Sequence, residues 1–254
     1  MDDERRMELL YFVLEQLAVY SIPVVIRGNV LLDSVMYHNK YNKTVRFTRD
    51  IDFDWVGDSF NREEFIKILC KIVVSSGLSD FTIGIKREEK EDQTLGLTVK
   101  EKGLKVFDVD VSLNFNYEDM RYTRIYCTPG GVKFTGISLD VVYADKVEVL
   151  SNRTILRRVK DFYDLYRMSF INEYNLEIIK EIVDRRRDKM GDFYEFREVI
   201  NNIRHAYSKF KGVYNKPEFD GVYTRVRDFC MPSLIGQYSR AYWDPDTCFW
   251  CFKR

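Results

Sequence analysis

The 254-residue chain contains no apolar run of the length a membrane-spanning helix requires. Its opening, Met1-Asp2-Asp3-Glu4-Arg5-Arg6, is charged where a secretory leader would have an apolar core. A cytoplasmic location and no membrane partner are therefore expected. There are only two histidines, His38 and His205, and no Ser-His-Asp or Cys-His constellation for nucleophilic catalysis. Five cysteines, an odd number, argue against a disulfide framework. Cys248-Phe249-Trp250-Cys251 is a C-x-x-C without a second pair or an H-x-x-x-H partner, and a structural zinc site needs four ligands. The alternative for that tail is aromatic packing on the body of the protein. Internal repeats and low-complexity tracts are also missing.

Net charge is absent too, but the zero is a sum of unlike halves. Residues 1–145 hold 24 acidic and 19 basic residues, net −5, while residues 146–254 hold 16 and 21, net +5. An acidic half can gather metal and a basic half can gather phosphates, a layout suited to nucleotide or nucleic-acid chemistry. Hydrophobic residues at 45% and charged residues at 31% describe an ordinary folded protein of one large or two modest domains.

What the sequence does have is the stretch Val45 to Asp54. Asp50, Asp52 and Asp54 alternate with Ile51 and Phe53, the period of a half-buried strand, so the carboxylates share one face. Like charges side by side on a strand repel. A divalent cation relieves that repulsion, and Mg²⁺ is usually held by one or two protein carboxylates plus substrate phosphates. The alternative is the wet face of an edge strand. A second run, Leu104 to Asn114, places Val106, Asp108, Asp110 and Ser112 on one face.

Around these runs, periodicity predicts a helix over Met7–Tyr20, a strand at Val24–Arg27 and a glycine turn at Gly28-Asn29 leading into a helix to His38. A helix follows over Ser59–Ser76, capped by Ser59 or Asn61. Strands are predicted at Phe81–Lys86, Thr94–Lys100, Leu104–Asn114 and Tyr122–Thr128, antiparallel-meander in character, with a short strand at Val132–Phe134. From Ser138 onward the pattern is helical: Ser138–Val149, Arg157–Phe170, Asn175–Gly191 and Asp192–Phe210. Beyond Pro217 it is irregular, apart from a helix around Gly221–Phe229. The expected fold is α/β (α+β), a mixed sheet flanked by helices over residues 1–137 followed by a mainly helical domain over 138–254.

Two carboxylate-bearing strands in such a fold match two-metal phosphoryl transfer, with Asp50, Asp52 and Asp110 as ligands of two Mg²⁺ ions, or Mn²⁺ in their place. That chemistry rests on positioning and charge neutralisation and needs no nucleophilic side chain.

These residues resemble a known family. Gly28-Asn29 followed by Arg46-Phe47-Thr48-Arg49-Asp50-Ile51-Asp52-Phe53 looks like the first motif of the DNA polymerase β-like nucleotidyltransferases. More narrowly it is similar to the AbiEii toxin family, with its glycine turn and R-x-S/T-x-D-I-D-F. Val109-Asp110-Val111-Ser112 resembles the second motif. Ala144-Asp145-Lys146, then Arg157-Arg158-Val159-Lys160-Asp161-Phe162-Tyr163-Asp164-Leu165-Tyr166, resemble the third and fourth. The resemblance implies that Gly28 and Asn29 meet nucleotide phosphates through backbone amides, with Arg49 also in the nucleotide-binding set. It implies that Asp50 and Asp52 are metal ligands, and that Asp110 is a ligand and the base for the attacking hydroxyl. It makes Lys146 the binder of the triphosphate and Asp161 the residue that completes the pocket. From the residues alone, Lys146 can equally be a solvated helix lysine, and Asp161 a partner of Arg157 or Arg158. Asp54 and Asp108 are then solvated neighbours, and Asp164 a partner of Lys160. Where the family usually has Gly-Gly or Gly-Ser and a small residue, this chain has Gly28-Asn29-Val30.

The function implied is transfer of a nucleoside monophosphate from an NTP to an acceptor hydroxyl, with the tRNA 3′ end as acceptor and a cognate antitoxin as partner. The basic run Arg185-Arg186-Arg187-Asp188-Lys189, with Arg197, Arg204, Lys209 and Lys211, is a candidate RNA-contacting face or a solvated helix face. The alternatives are a non-catalytic nucleotide- or nucleic-acid-binding module, or transfer to a protein or small-molecule acceptor.

Overall fold

The first helix begins where Asp2 stops the chain from starting it any earlier: its carboxylate accepts the Arg5 backbone N–H at 2.8 Å. From there Leu9, Leu10, Val13, Leu14 and Leu17 recur at helical spacing and are all buried. The same logic sets the other elements in this computed structural model, which describes residues 2–41, 45–88, 94–115, 117–171, 174–238 and 240–252. In chain order they are α1 (Asp3–Val19), β1 (Val24–Arg27), α2 (Gly28–His38), β2 (Val45–Arg46), β3 (Asp50–Trp55), α3 (Arg62–Ser75), β4 (Phe81–Arg87), β5 (Thr94–Glu101) and β6 (Leu104–Ser112). Then come β7 (Thr123–Cys127), β8 (Lys133–Ile137), α4 (Leu139–Ser151), α5 (Val159–Met168), α6 (Leu176–Arg185), α7 (Tyr194–Glu198) and α8 (Ile200–Lys209). The chain ends with β9 (Val213–Tyr214), α9 (Phe219–Phe229), α10 (Met231–Leu234), β10 (Ala241–Asp244) and β11 (Phe249–Phe252). About 49% is helical. Among the described residues no helix is long and apolar enough to cross a membrane.

The chain divides into two compact units. Met1–His38 and Phe47–Ile137 form the first, and Asn39–Arg46 with Ser138–Arg254 form the second. In the first, a seven-stranded mixed sheet runs β4-β5-β6-β3-β1-β8-β7. Strand β3 is its middle member, parallel to β6 on one side and antiparallel to β1 on the other. Ile51 and Phe53 on one face are buried, and Phe53 meets Phe65 of α3 edge-on at 5.8 Å. The acidic stretch is therefore not the wet face of an edge strand. The expected meander holds only for β4-β5-β6, since β7 and β8 lie across the sheet, beyond β1. Pairing β6 with β3 requires that departure, and it sets one row of carboxylates beside the other.

The second unit packs α4 to α9 around Tyr143, Phe162, Tyr163, Phe196 and Phe229. Residues 45–46 belong to it because β2 pairs with β9. The helix expected over 192–210 is broken into α7 and α8 at Val199, whose φ of −120° and ψ of 41° leave the helical region. No proline or glycine marks that break, so packing has overridden local preference. The helix expected from Arg157 starts at Val159 after a 3₁₀ turn over Arg153–Leu156, and the one expected to Gly191 ends at Arg185. The tail is ordered rather than irregular. In it, β10 and β11 pair as a hairpin that buries Trp243, whose indole N–H donates to the Ser169 carbonyl at 2.7 Å. Cys248 lies in the hairpin turn and Cys251 on β11, with the aromatic packing expected of that tail.

Candidate active site

In the first unit the parallel register of β3 and β6 sets Asp50 opposite Asp108 and Asp52 opposite Asp110. Directly opposed residues share a face, so the middle of the sheet carries two ranks of carboxylates side by side. Each is handled differently. Asp54, buried, is paired with Arg27 of β1. Asp108, also buried, accepts Lys86 Nζ at 2.7 Å, Lys105 Nζ at 2.6 Å and the Thr98 hydroxyl at 2.8 Å. Burial works against its charge, but those bonds outweigh it and hold Asp108 below the ordinary carboxylate value. Neither residue is the solvated neighbour the sequence allowed. Asp50 accepts the buried Thr48 hydroxyl.

Asp110 stands apart. Its Oδ1 is buried and has no hydrogen-bond partner among the described residues. Burial pushes its pKa up; Lys86 and Arg87 oppose that, while Asp108 and Asp50 add to it. The backbone makes room for this group, because β5 presents Gly96 opposite Asp110 and a Cβ there would come within 3.0 Å of Oδ1. Gly28 does the same for Asp52. It has φ +70°, and an added Cβ would overlap Asp52 Oδ2. Asn29, next in the chain and buried, donates its amide to Asp33 Oδ2 at 2.6 Å within α2. Arg49, in the turn before β3, is exposed, with its guanidinium 3.7 Å from Asp3.

The second unit carries its own charged cluster. Lys146 of α4 is buried and donates to Asp161 Oδ1 at 2.9 Å and Asp164 Oδ2 at 2.8 Å. Arg46 of β2 donates Nε and Nη2 to the two oxygens of Asp164 at 2.8 and 3.3 Å, and Arg158 donates to Asp161 Oδ2 at 2.8 Å. Arg167 Nη1 is 3.9 Å from Asp164 Oδ1. Burial alone would discharge these groups. The charges of Asp164 and Asp161 outweigh it and keep Lys146 above its ordinary value. Arg46, Lys146 and Arg167 likewise hold Asp164 well below the carboxylate range. Lys146 is not a solvated helix lysine. Asp161 pairs with Arg158, as one alternative had it, and also with Lys146. Asp164 pairs across to β2 and α4 rather than with Lys160.

The expected site residues thus form two groups, one in each unit: Gly28, Asn29, Asp50, Asp52 and Asp110, and Lys146 with Asp161. Sequence reasoning missed Arg46 and Asp164 as a buried pair. The available signal was Asp161 and Asp164 three apart on one helix face, more carboxylate than Lys146 alone balances.

Among the described residues no three His, Cys, Asp or Glu side chains form a cage for a metal ion. Mg²⁺ asks less, since one or two carboxylates suffice when substrate phosphates and water complete its shell. The opposed Asp52 and Asp110, one with a buried oxygen that lacks a partner, fit that demand.

Compared with known proteins, residues 34–229 match the model of a family described as "Nucleotidyl transferase AbiEii toxin, Type IV TA system". No curated protein matches the chain.

Proposed function

This chain belongs to the AbiEii family of nucleotidyltransferase toxins of type IV toxin–antitoxin systems, and on that premise we propose that it moves a nucleoside monophosphate from an NTP to a hydroxyl of RNA, at the tRNA 3′ end. The observation that carries this reading is Asp52 set in register beside an Asp110 oxygen that is buried without a partner. A carboxylate kept that way costs free energy unless it meets a cation or a proton, and nucleotidyl transfer brings it both. Asp52 and Asp110, with Asp50 on the same face, would hold Mg²⁺ ions whose shells substrate phosphates and water complete. When bound, the ions polarise the α-phosphorus and neutralise the leaving pyrophosphate.

The chain's own groups do the rest. Backbone N–H groups of Gly28 and Asn29, at the N-terminus of α2, receive the triphosphate, and exposed Arg49 adds a cation for the nucleotide. Asp110, on the strand beside Asp52, is the carboxylate that would take the proton of the acceptor hydroxyl. In the second unit, Asp161 and Asp164 hold Lys146 charged and oriented. The hydroxyl oxygen bonds to the α-phosphorus, the bond to the β-phosphate oxygen breaks, and pyrophosphate leaves. A cognate antitoxin, as the family implies, would restrain the activity.

The test is to incubate the protein with each labelled NTP, Mg²⁺ and total tRNA. Label should reach RNA, and Asp52→Ala and Asp110→Asn should each lower the rate by about a hundredfold or more, the scale on which loss of a preorganised charge contact is felt. Label on protein or a small molecule would move the acceptor. No label anywhere, with both variants as toxic in cells as wild type, would leave a binding module. The observation favouring that second reading is Asn29, whose buried side chain is tied to Asp33 within the turn that departs from the Gly-Gly or Gly-Ser pattern.

A further inference from the structure

We propose that the 3₁₀ turn Arg153–Leu156 and the first residues of α5 form the surface that receives the acceptor's sugar–phosphate backbone, an inference that rests on the RNA-acceptor reading above. The basic run that the sequence singled out is a weaker candidate, because several of its charges are already used. Arg186 pairs with Asp145, with Glu148 at 3.7 Å; Arg187 pairs with Asp184 at 2.8 Å. Arg204 meets Asp220 at 2.7 Å, and Arg197 donates to the Leu234 carbonyl.

The stretch from 149 to 160 has the opposite balance: Arg153, Arg157, Arg158 and Lys160 are exposed and no acidic residue interrupts them. Arg153, Thr154, Leu156 and Arg157 line a cleft of about 550 Å³. Two carboxylates approach this surface: Glu195 lies 3.6 Å from Arg153 Nε, and Asp161 accepts Arg158 Nε. Among the described residues Arg157 and Lys160 have no carboxylate within ion-pair distance. Four cations against two carboxylates leave an excess of two positive charges on one short exposed segment. Guanidinium forks match phosphate oxygens in pairs, and the Thr154 hydroxyl adds a group that bonds a phosphate or a 2′-hydroxyl. Binding there releases condensed counterions, so affinity should fall with salt.

Fluorescence anisotropy of the full chain with labelled tRNA tests this, with thermal melts confirming that each variant is folded. Arg153→Gln with Arg157→Gln should weaken binding about tenfold at low salt and make the log–log salt slope shallower by about 1.5, the share of two lost phosphate contacts. Arg157→Lys, which keeps the charge but loses the fork, should fall between wild type and Arg157→Gln, and Arg187→Gln, whose charge is already paired, should leave affinity within about twofold. Transfer of label to tRNA is read in parallel. If the double variant binds and labels tRNA like wild type, the surface is overturned while the RNA-acceptor reading stands. If wild type binds and labels no RNA, both fall.

Discussion

At the scale of single residues, Gly28 and Asp52 constrain one another. The turn needs a positive φ, and the space a side chain would take is filled by the Asp52 carboxylate. Gly28→Ala should therefore cost about 1–3 kcal/mol of stability through backbone strain. It should also reduce transfer by more than that loss predicts, because Asp52 must swing aside. A melting curve and a transfer rate on the same preparation check this, and a variant with lowered melting temperature but full activity would count against it. Gly28, Asp50, Asp52 and Asp110 were legible in the sequence because strand alternation and a glycine turn are local patterns. The Asp108 ion cluster was not, since Lys86 comes to it from a strand 22 residues away.

Among the elements, α5 is the one whose role changed most between sequence and structure. Its Asp161 and Asp164 hold Lys146 and Arg46 in a buried cluster, and removing one member of such a set costs about 3–5 kcal/mol by leaving charge uncompensated. Asp164→Asn should destabilise the protein on that scale near neutral pH. Asp164's folded pKa lies below its unfolded value, so its contribution is present above the unfolded value near 4 and fades as the pH falls toward the folded one. The gap between wild type and Asp164→Asn should narrow as the pH is lowered from about 5 toward 3, a trend that thermal unfolding at several pH values will read. Lys146, held above its ordinary value, contributes up to alkaline pH, so it adds no slope in this window. The apolar stripe predicted the existence of these helices well, as it did for the strands around β3. It missed the break at Val199, which no proline or glycine marks, and the β10–β11 hairpin, which is tied to Ser169 far away in sequence.

For the molecule as a whole, the division at Ile137–Ser138 falls where the sequence pattern changes from strand to helix. The assignment of Asn39–Arg46 to the second unit does not show in the sequence. A fragment of residues 138–254 lacks the strand that pairs with β9 and the Arg46 guanidinium that answers Asp164. It should be less stable than the same unit within the full chain by several kcal/mol, and Arg46→Met in the intact protein should reproduce most of that loss. Urea titration of both forms checks it, and a fragment as stable as the whole would remove the argument.

The polypeptide passes from one unit to the other three times. Neither unit is therefore encoded by an uninterrupted segment of the gene. A recombination event with one breakpoint near codon 138 would separate Arg46 from its carboxylate, so exchange between relatives should keep both pieces together or leave a product that folds poorly.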